Sequence, residues 1–225
     1  MKFAIAPSEI LLLVEKQLTN IFTFGQEDKV LLEAAFDKTL KRLEYNFSHS
    51  TNKYYSDGGE TYFSPFHSGQ YCIFLYYLSN EIWHNTQNNS VRTTLPDRLY
   101  FLNKMLSACD LFYEVELPDI FRLEHPVGSV MGRAKYSDYF LFGQNCTVGN
   151  NRGIYPKLGQ HVQMCANSSI IGNCTIGNKV MVGAYACIKD QDIPDNSIVF
   201  GISPNLIIKQ NTSETYSYSL LSTFK

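Results

Sequence analysis

Apolar residues recur every three to four positions through the first hundred or so residues. Ile10, Leu13, Val14 and Leu18 form one such series, and Leu32, Ala35, Phe36, Leu40 and Leu43 a second. That spacing places apolar side chains on one face of a helix, so two amphipathic helices are expected, with Ser8 placed to cap the first. Ser50 to Gly59, rich in Ser, Asn, Tyr, Asp and Gly, reads as a loop. A third helix is predicted from about His67 to Trp83. A fourth starts near Leu95-Pro96-Asp97, where proline is tolerated in a first turn, puts Leu99, Leu102 and Leu106 on one face and ends near Asp110.

From Leu158 onward the period changes to six. Leu158, Met164, Ile170, Ile176, Val182 and Ile188 are all aliphatic, and four residues after the first five stand Val162, Ser168, Cys174, Val180 and Ala186, mostly small. Gly159, Gly177 and Gly183 directly follow aliphatic positions, which suits corners that need glycine's backbone freedom. A six-residue unit of short strand and turn, three units to a triangular coil, stacks into a parallel β-helix that buries its aliphatic column. Ordinary two-residue strand alternation fits worse, because Gln160, Ala166, Asn178 and Ala184 at intervening even positions are polar or small. The period runs backwards through Val148, Phe142, Tyr136 and Val130, and Gly149 to Lys157 interrupts it as a loop leaving the coil. The fold class is therefore α+β: an N-terminal α-helical domain at 1–112, a parallel β-helix at 113–209 and a tail at 210–225.

Composition narrows the function. A formal net charge of -2 offers no basic face for counterion release, so neither nucleic acid nor an acidic membrane is an expected partner. The apolar start soon meets Glu9, Glu15 and Lys16 at helical spacing, which argues against a signal peptide or a membrane span and for a cytoplasmic protein. Six scattered cysteines form no Cys-x-x-Cys pair and no zinc spacing, so reduced core thiols and no metal are expected.

Of the five histidines, His125 has the most telling surroundings. It lies where helices give way to the repeat, with Glu116, Asp119 and Glu124 close in sequence. A carboxylate can fix the tautomer of such an imidazole, which then takes a proton from an attacking hydroxyl or amine. A purely structural histidine at the junction is the alternative. His161 reads as an outward-facing corner residue, and His49 and His84 as exposed loop residues.

Several stretches of this sequence resemble serine acetyltransferases, over roughly residues 60 to 209. His67-Ser-Gly-Gln70 is similar to that family's His-x-x-Gln helix, Val115-Glu116-Leu117 falls where the family has Val-Asp-Ile, and Leu123-Glu124-His125-Pro-Val-Gly128 matches Leu-Asp-His-Ala-Thr-Gly. Tyr155-Pro156-Lys157-Leu158 stands where His-Pro-Lys-Ile is usual, Ile171-Gly172-Asn173 resembles Leu-Gly-Asn, and Asp192 to Pro204 resembles the closing segment of the coenzyme A site. The resemblance implies a left-handed β-helix, acetyl-CoA as co-substrate and no metal. It implies His125 as general base, oriented by Glu116 or, given the shorter interval here, by Asp119. Glu124, Arg152 and Tyr155 would meet the acceptor, while Ala166, Gly183, Ala184 and Lys189 would line the acetyl-CoA groove.

The family's Asp-Arg-His-Pro reads Gly153-Ile154-Tyr155-Pro156 here, leaving Arg152 as the only nearby cation. The small-molecule acceptor is therefore L-serine or, alternatively, a sugar or nucleotide sugar. A non-catalytic β-helix scaffold is a third reading. Triangular coils of this kind pack as a homotrimer, or as a dimer of trimers through the helical domain. The ending Ser-Thr-Phe-Lys225 lacks the family's terminal Ile, so docking into the next enzyme of cysteine synthesis is not expected.

Overall fold

The computed structural model describes residues 1–88, 93–212 and 224, and its contacts divide the chain into two units. The first comprises Met1–Ser48, Asn52–Ser107 and Leu111–Glu114. The second comprises His49–Thr51, Ala108–Asp110 and the chain from Val115 on. Most of the 210–225 tail, including Lys225, lies outside the described residues.

Four helices build the first unit: α1 (Pro7–Ile21), α2 (Gln26–Ser48), α3 (Ser68–Thr86) and α4 (Leu95–Ser107). The predicted stripes are the buried ones, with Ile10, Val14 and Leu18 of α1 and Leu32, Ala35, Phe36 and Leu43 of α2 in the core. Ser8 does not cap α1. Pro7 already sits inside the helix, Ala6 takes the cap position, and the Glu9 carboxylate accepts from the Ala6 N–H at 2.9 Å. α3 is buried all round from Gly69 to Ile82, with Gln70, Ser79, Asn80 and Glu81 among its buried residues, so it is the central element and carries no single stripe. His67 caps it, its Nδ1 accepting from the Gln70 N–H at 3.3 Å. The loop expected at 50–59 contains a short 3-10 turn and a strand, Ser56–Asp57, that pairs with Glu60–Phe63, which in turn pairs with Lys2–Phe3.

The second unit is a left-handed parallel β-helix of about five turns. One face stacks Leu123, Phe142, Met164, Val182 and Val199, and the next stacks Met131, Val148, Ile170 and Ile188. The third stacks Lys135, Lys157 and Thr175, with Leu158, Ile176 and Ile193 turned inward beside them. Both predicted columns fill the interior: the aliphatic one from Leu158 to Ile188, and the small one of Val162, Ser168, Cys174, Val180 and Ala186. Closing a coil this tightly leaves room for nothing wider, which is why the second column is small.

Backward extension of the period slips by one residue, since Met131 is buried and Val130 is 40% exposed. The interruption at 149–157 is a loop: successive interior residues are usually six apart, as from Ile170 to Ile176, but Val148 and Leu158 are ten apart, an excess of four. Gly159, Gly177 and Gly183 all have negative φ, so backbone freedom does not explain them. A side chain at Gly159 would strike the Gly177 backbone at 2.8 Å, and one at Gly183 would strike the Phe200 ring at 2.6 Å. Positive φ belongs instead to corner residues such as Asn145, His161, Asn167, Lys179, Tyr185 and Asn196. After the last coil, strand Ser197–Ile202 turns at Ser203-Pro204 and pairs antiparallel with Asn205–Gln210.

Candidate active site on the coil edges

Register assigns each candidate residue to an edge of the triangular coil. Glu124 and His125 follow the first strand of the stack, Phe121–Leu123, at the corner before Val130. Above them on the same corner come Gly143 and Gln144, then Ala166, then Gly183 and Ala184, because Phe142, Met164 and Val182 are stacked partners. The Tyr185 N–H donating to the Ala166 carbonyl ties two of these corners together. With neighbouring strands about 4.8 Å apart, three coils separate His125 from Ala184 by about 14 Å. Along this His125 edge Gln144, Ala184 and Tyr185 are exposed, Ala166 is half-buried, and Gly143 and Gly183 are buried.

His125 is exposed and holds φ 50°, a left-handed conformation that aims its side chain off the strand direction. Gly128 completes the corner at φ 75°, and a side chain there would collide with Asn145. Glu124 is half-buried and accepts from Arg122 Nη2 at 3.1 Å. Glu116 and Asp119 are exposed in the irregular run leading into Phe121, and no described hydrogen bond joins either to His125.

Arg152, Tyr155 and Lys189 stand on a different edge. The loop at 150–156 leaves the corner that follows Gly149, and Gly149, Ile171 and Lys189 are stacked partners. Asn151 and Ile154 exchange two backbone hydrogen bonds of 3.0 Å around Arg152 at φ 52° and Gly153 at φ 78°, the two positive angles of a type I′ turn. Arg152 is exposed, and Ile154 and Tyr155 are 50% and 38% exposed. Asp190, two coils on, latches this loop: it accepts from the Asn151 amide and from the Asn173 N–H at 2.8 Å. The Asn173 hydrogen bond leads, with Asn151, Lys189 and Arg152 adding, in holding the Asp190 carboxyl below its ordinary value. Lys189, Asp190, Gln191, Ser203 and Pro204 line a cavity of about 410 Å³ at the end of this edge.

The remaining histidines lie away from both of these edges. His161 is a half-buried corner residue stacked on Tyr139 at 4.2 Å, and burial, then the charge of Lys179, lowers its pKa. His49 is half-buried against Tyr139, contrary to the expected exposed loop, and His84 is exposed but on α3, beside Trp83. Among the described residues no group of His, Cys, Asp and Glu is arranged to hold a metal ion, and no helix is long and apolar enough to cross a membrane. All six cysteines are free, four of them buried.

No family model matches the chain. Over 134 residues it is 29% identical to a serine acetyltransferase of Staphylococcus epidermidis, covering 51% of this chain and 58% of that protein. Over 120 residues it is 28% identical to one of Synechococcus elongatus, covering 51% and 49%. The chain thus spans about half the length of the relatives it matches. Among solved structures, serine acetyltransferase of Vibrio cholerae superposes with a TM-score of 0.66 at 18% identity, over 85% of this chain and 73% of that one. A Neisseria gonorrhoeae serine acetyltransferase in complex with serine gives 0.61 at 22% identity, over 79% and 72%. A serine acetyltransferase complex with CoA gives 0.63 at 15% identity, over 80% and 75%.

Proposed function

We propose that this chain, serine acetyltransferase-like in sequence and fold, is an acetyl-CoA dependent acetyltransferase whose acceptor is the hydroxyl of L-serine. The observation that carries the reading is the arrangement of the His125 edge. A histidine and a carboxylate stand at one end of a row that carries half-buried Ala166 and exposed Ala184 on successive coils, long enough for a pantetheine arm. The solved relative with CoA and the one with serine support both substrates.

The chemistry follows from an imidazole that can take up a proton and give it back. His125 takes the proton of the acceptor hydroxyl as its oxygen attacks the thioester carbonyl. The tetrahedral adduct collapses, the C–S bond breaks, and the departing thiolate takes the proton back from the imidazolium. An O-acetyl ester and the free thiol of CoA result, with no acyl-enzyme. Glu116 or Asp119 orients the imidazole, and Glu124 holds the acceptor's ammonium.

Arg152, Tyr155 and Lys189 lie on another edge of the same coil. A site that uses both edges is therefore assembled from two copies of the chain, and a homotrimer closes such a head-to-tail arrangement. A dimer of trimers extends it. The loop edge also favours a second acceptor class: exposed Ile154 and Tyr155 present apolar and hydroxyl surface where a substrate carboxylate would want a guanidinium. A sugar or nucleotide sugar suits that surface.

Thiol release from acetyl-CoA, measured with L-serine and then with amino sugars and nucleotide sugars, tests the proposal. Turnover with serine that His125→Ala abolishes supports it. Turnover with a sugar alone changes the acceptor, and no turnover with any acceptor brings the scaffold reading forward.

A further inference from the structure

Arg122 is the bulkiest of the fully buried side chains among the described residues, 1% exposed on a strand whose neighbours are Ile120, Phe121 and Leu123. Phe121 and Leu123 pair with Phe140 and Phe142, and alternation turns Arg122 to the outside of the coil with its partner Leu141. It is nonetheless shut from water. The Phe224 ring lies 5.2 Å from its guanidinium carbon, and Phe224, 8% exposed, clusters with Ile120, Leu141 and Tyr139 and bridges to Ser50. Burying a guanidinium is costly, and it persists where hydrogen bonds and an aromatic face compensate.

Glu124 supplies one of those hydrogen bonds, at 3.1 Å, and residues two apart share a side of the strand. The next residue is His125. A carboxylate on an open corner would sample several rotamers, whereas one tied to a buried, planar guanidinium samples few. We infer that Arg122 is a positioning residue for acceptor recognition: it fixes the Glu124 carboxylate beside His125, and Phe224 covers the guanidinium. The ligand class is an acceptor with an ammonium or hydroxyl group within reach of Glu124. The inference rests on the acetyltransferase reading above.

The test compares the wild type with Arg122→Met, Arg122→Lys, Glu124→Gln, the Arg122→Met/Glu124→Gln double variant and Phe224→Ala, in kcat and in KM for each substrate. Arg122→Met should raise acceptor KM on the order of tenfold, as loss of the buried partner of a half-buried carboxylate does. KM for acetyl-CoA should stay within about twofold, since uniform loss of structure would move both. Arg122→Lys should recover part of the loss, Phe224→Ala should shift acceptor KM the same way by less, and Arg122→Met should add little to Glu124→Gln. If Arg122→Met does not fold, Arg122→Lys and Phe224→Ala carry the test. An unchanged acceptor KM in those variants, or additive effects in the double variant, overturns the positioning role and leaves the activity standing. A wild type that releases no thiol with any acceptor overturns the activity and this role with it.

Discussion

Two edges of the same coil differ in every respect that matters for binding. The His125 edge keeps the regular step, with Gln144, Ala166 and Ala184 on successive coils and one titratable pair at its end. The loop edge breaks the repeat by four residues, carries Arg152, Tyr155 and Lys189, and is latched by Asp190 to Asn151 and Asn173. A regular edge can receive a long, extended ligand, which is what the proposed acetyl-CoA is. An interrupted one can be altered without disturbing the stack, because its extra residues stand outside the six-residue step. The proposed site divides its labour accordingly: the regular edge would take acetyl-CoA and hold the acceptor at Glu124, and the interruption would add contacts from a second copy.

The sharpest way to break that division is at its reactive end. His125→Ala should lower kcat by about 10²- to 10⁴-fold, the usual range for a general base, with acetyl-CoA KM little changed in steady-state thiol release. Next in size, Ala184→Phe fills the His125 edge three coils away. Because Ala184 is exposed the fold should tolerate it, and acetyl-CoA KM should rise roughly tenfold while acceptor KM holds, by steric exclusion. Equal changes in both would merge the two edges into one binding surface.

The smallest effect belongs to the third edge, which is assigned no chemistry. Burial and Lys179 lower the pKa of His161 from 6.5, so the folded chain keeps a neutral ring where the unfolded chain takes up a proton. Stability from this residue is complete above about 6.5 and is lost as pH falls below it towards the folded value. Urea midpoints at pH 7.5 and 5.5 should therefore fall further in the wild type than in His161→Asn, asparagine being able to hold the φ of 57°. Activity at pH 7.5 should not notice the change.

Much of this was legible in the chain itself. A period of six has one structural solution, and the stripes of α1 and α2 fell on the buried faces. What escaped had physical causes. Ser8 looked like a cap, but Pro7 starts a helix by itself. The glycines at 159, 177 and 183 answer to the neighbouring coil, a distance no local pattern encodes. The short strands at 2–3, 56–57 and 60–63 are too brief to show alternation. At the site, His125 and Glu124 stood out because their motif is contiguous. The Asn151–Asp190 latch joins residues 39 apart and left no local trace. Arg122 did leave one, a lone charge in Ile120-Phe-Arg-Leu123, whose meaning needed Phe224 to be placed. Edge membership of Arg152, Tyr155 and Lys189 required the register.

Whether one copy's His125 edge works with another copy's loop edge can be tested by mixing two crippled chains. One carries His125→Ala. The other lacks residues 150–153, a deletion that restores the six-residue step from Val148 to Leu158. Each alone should be inactive. Refolded together at equal amounts, they should recover about a quarter of wild-type activity, the share of random interfaces that join two intact edges. No recovery in mixed oligomers whose formation is verified by size and mass would place both edges' work within one chain and contradict the account.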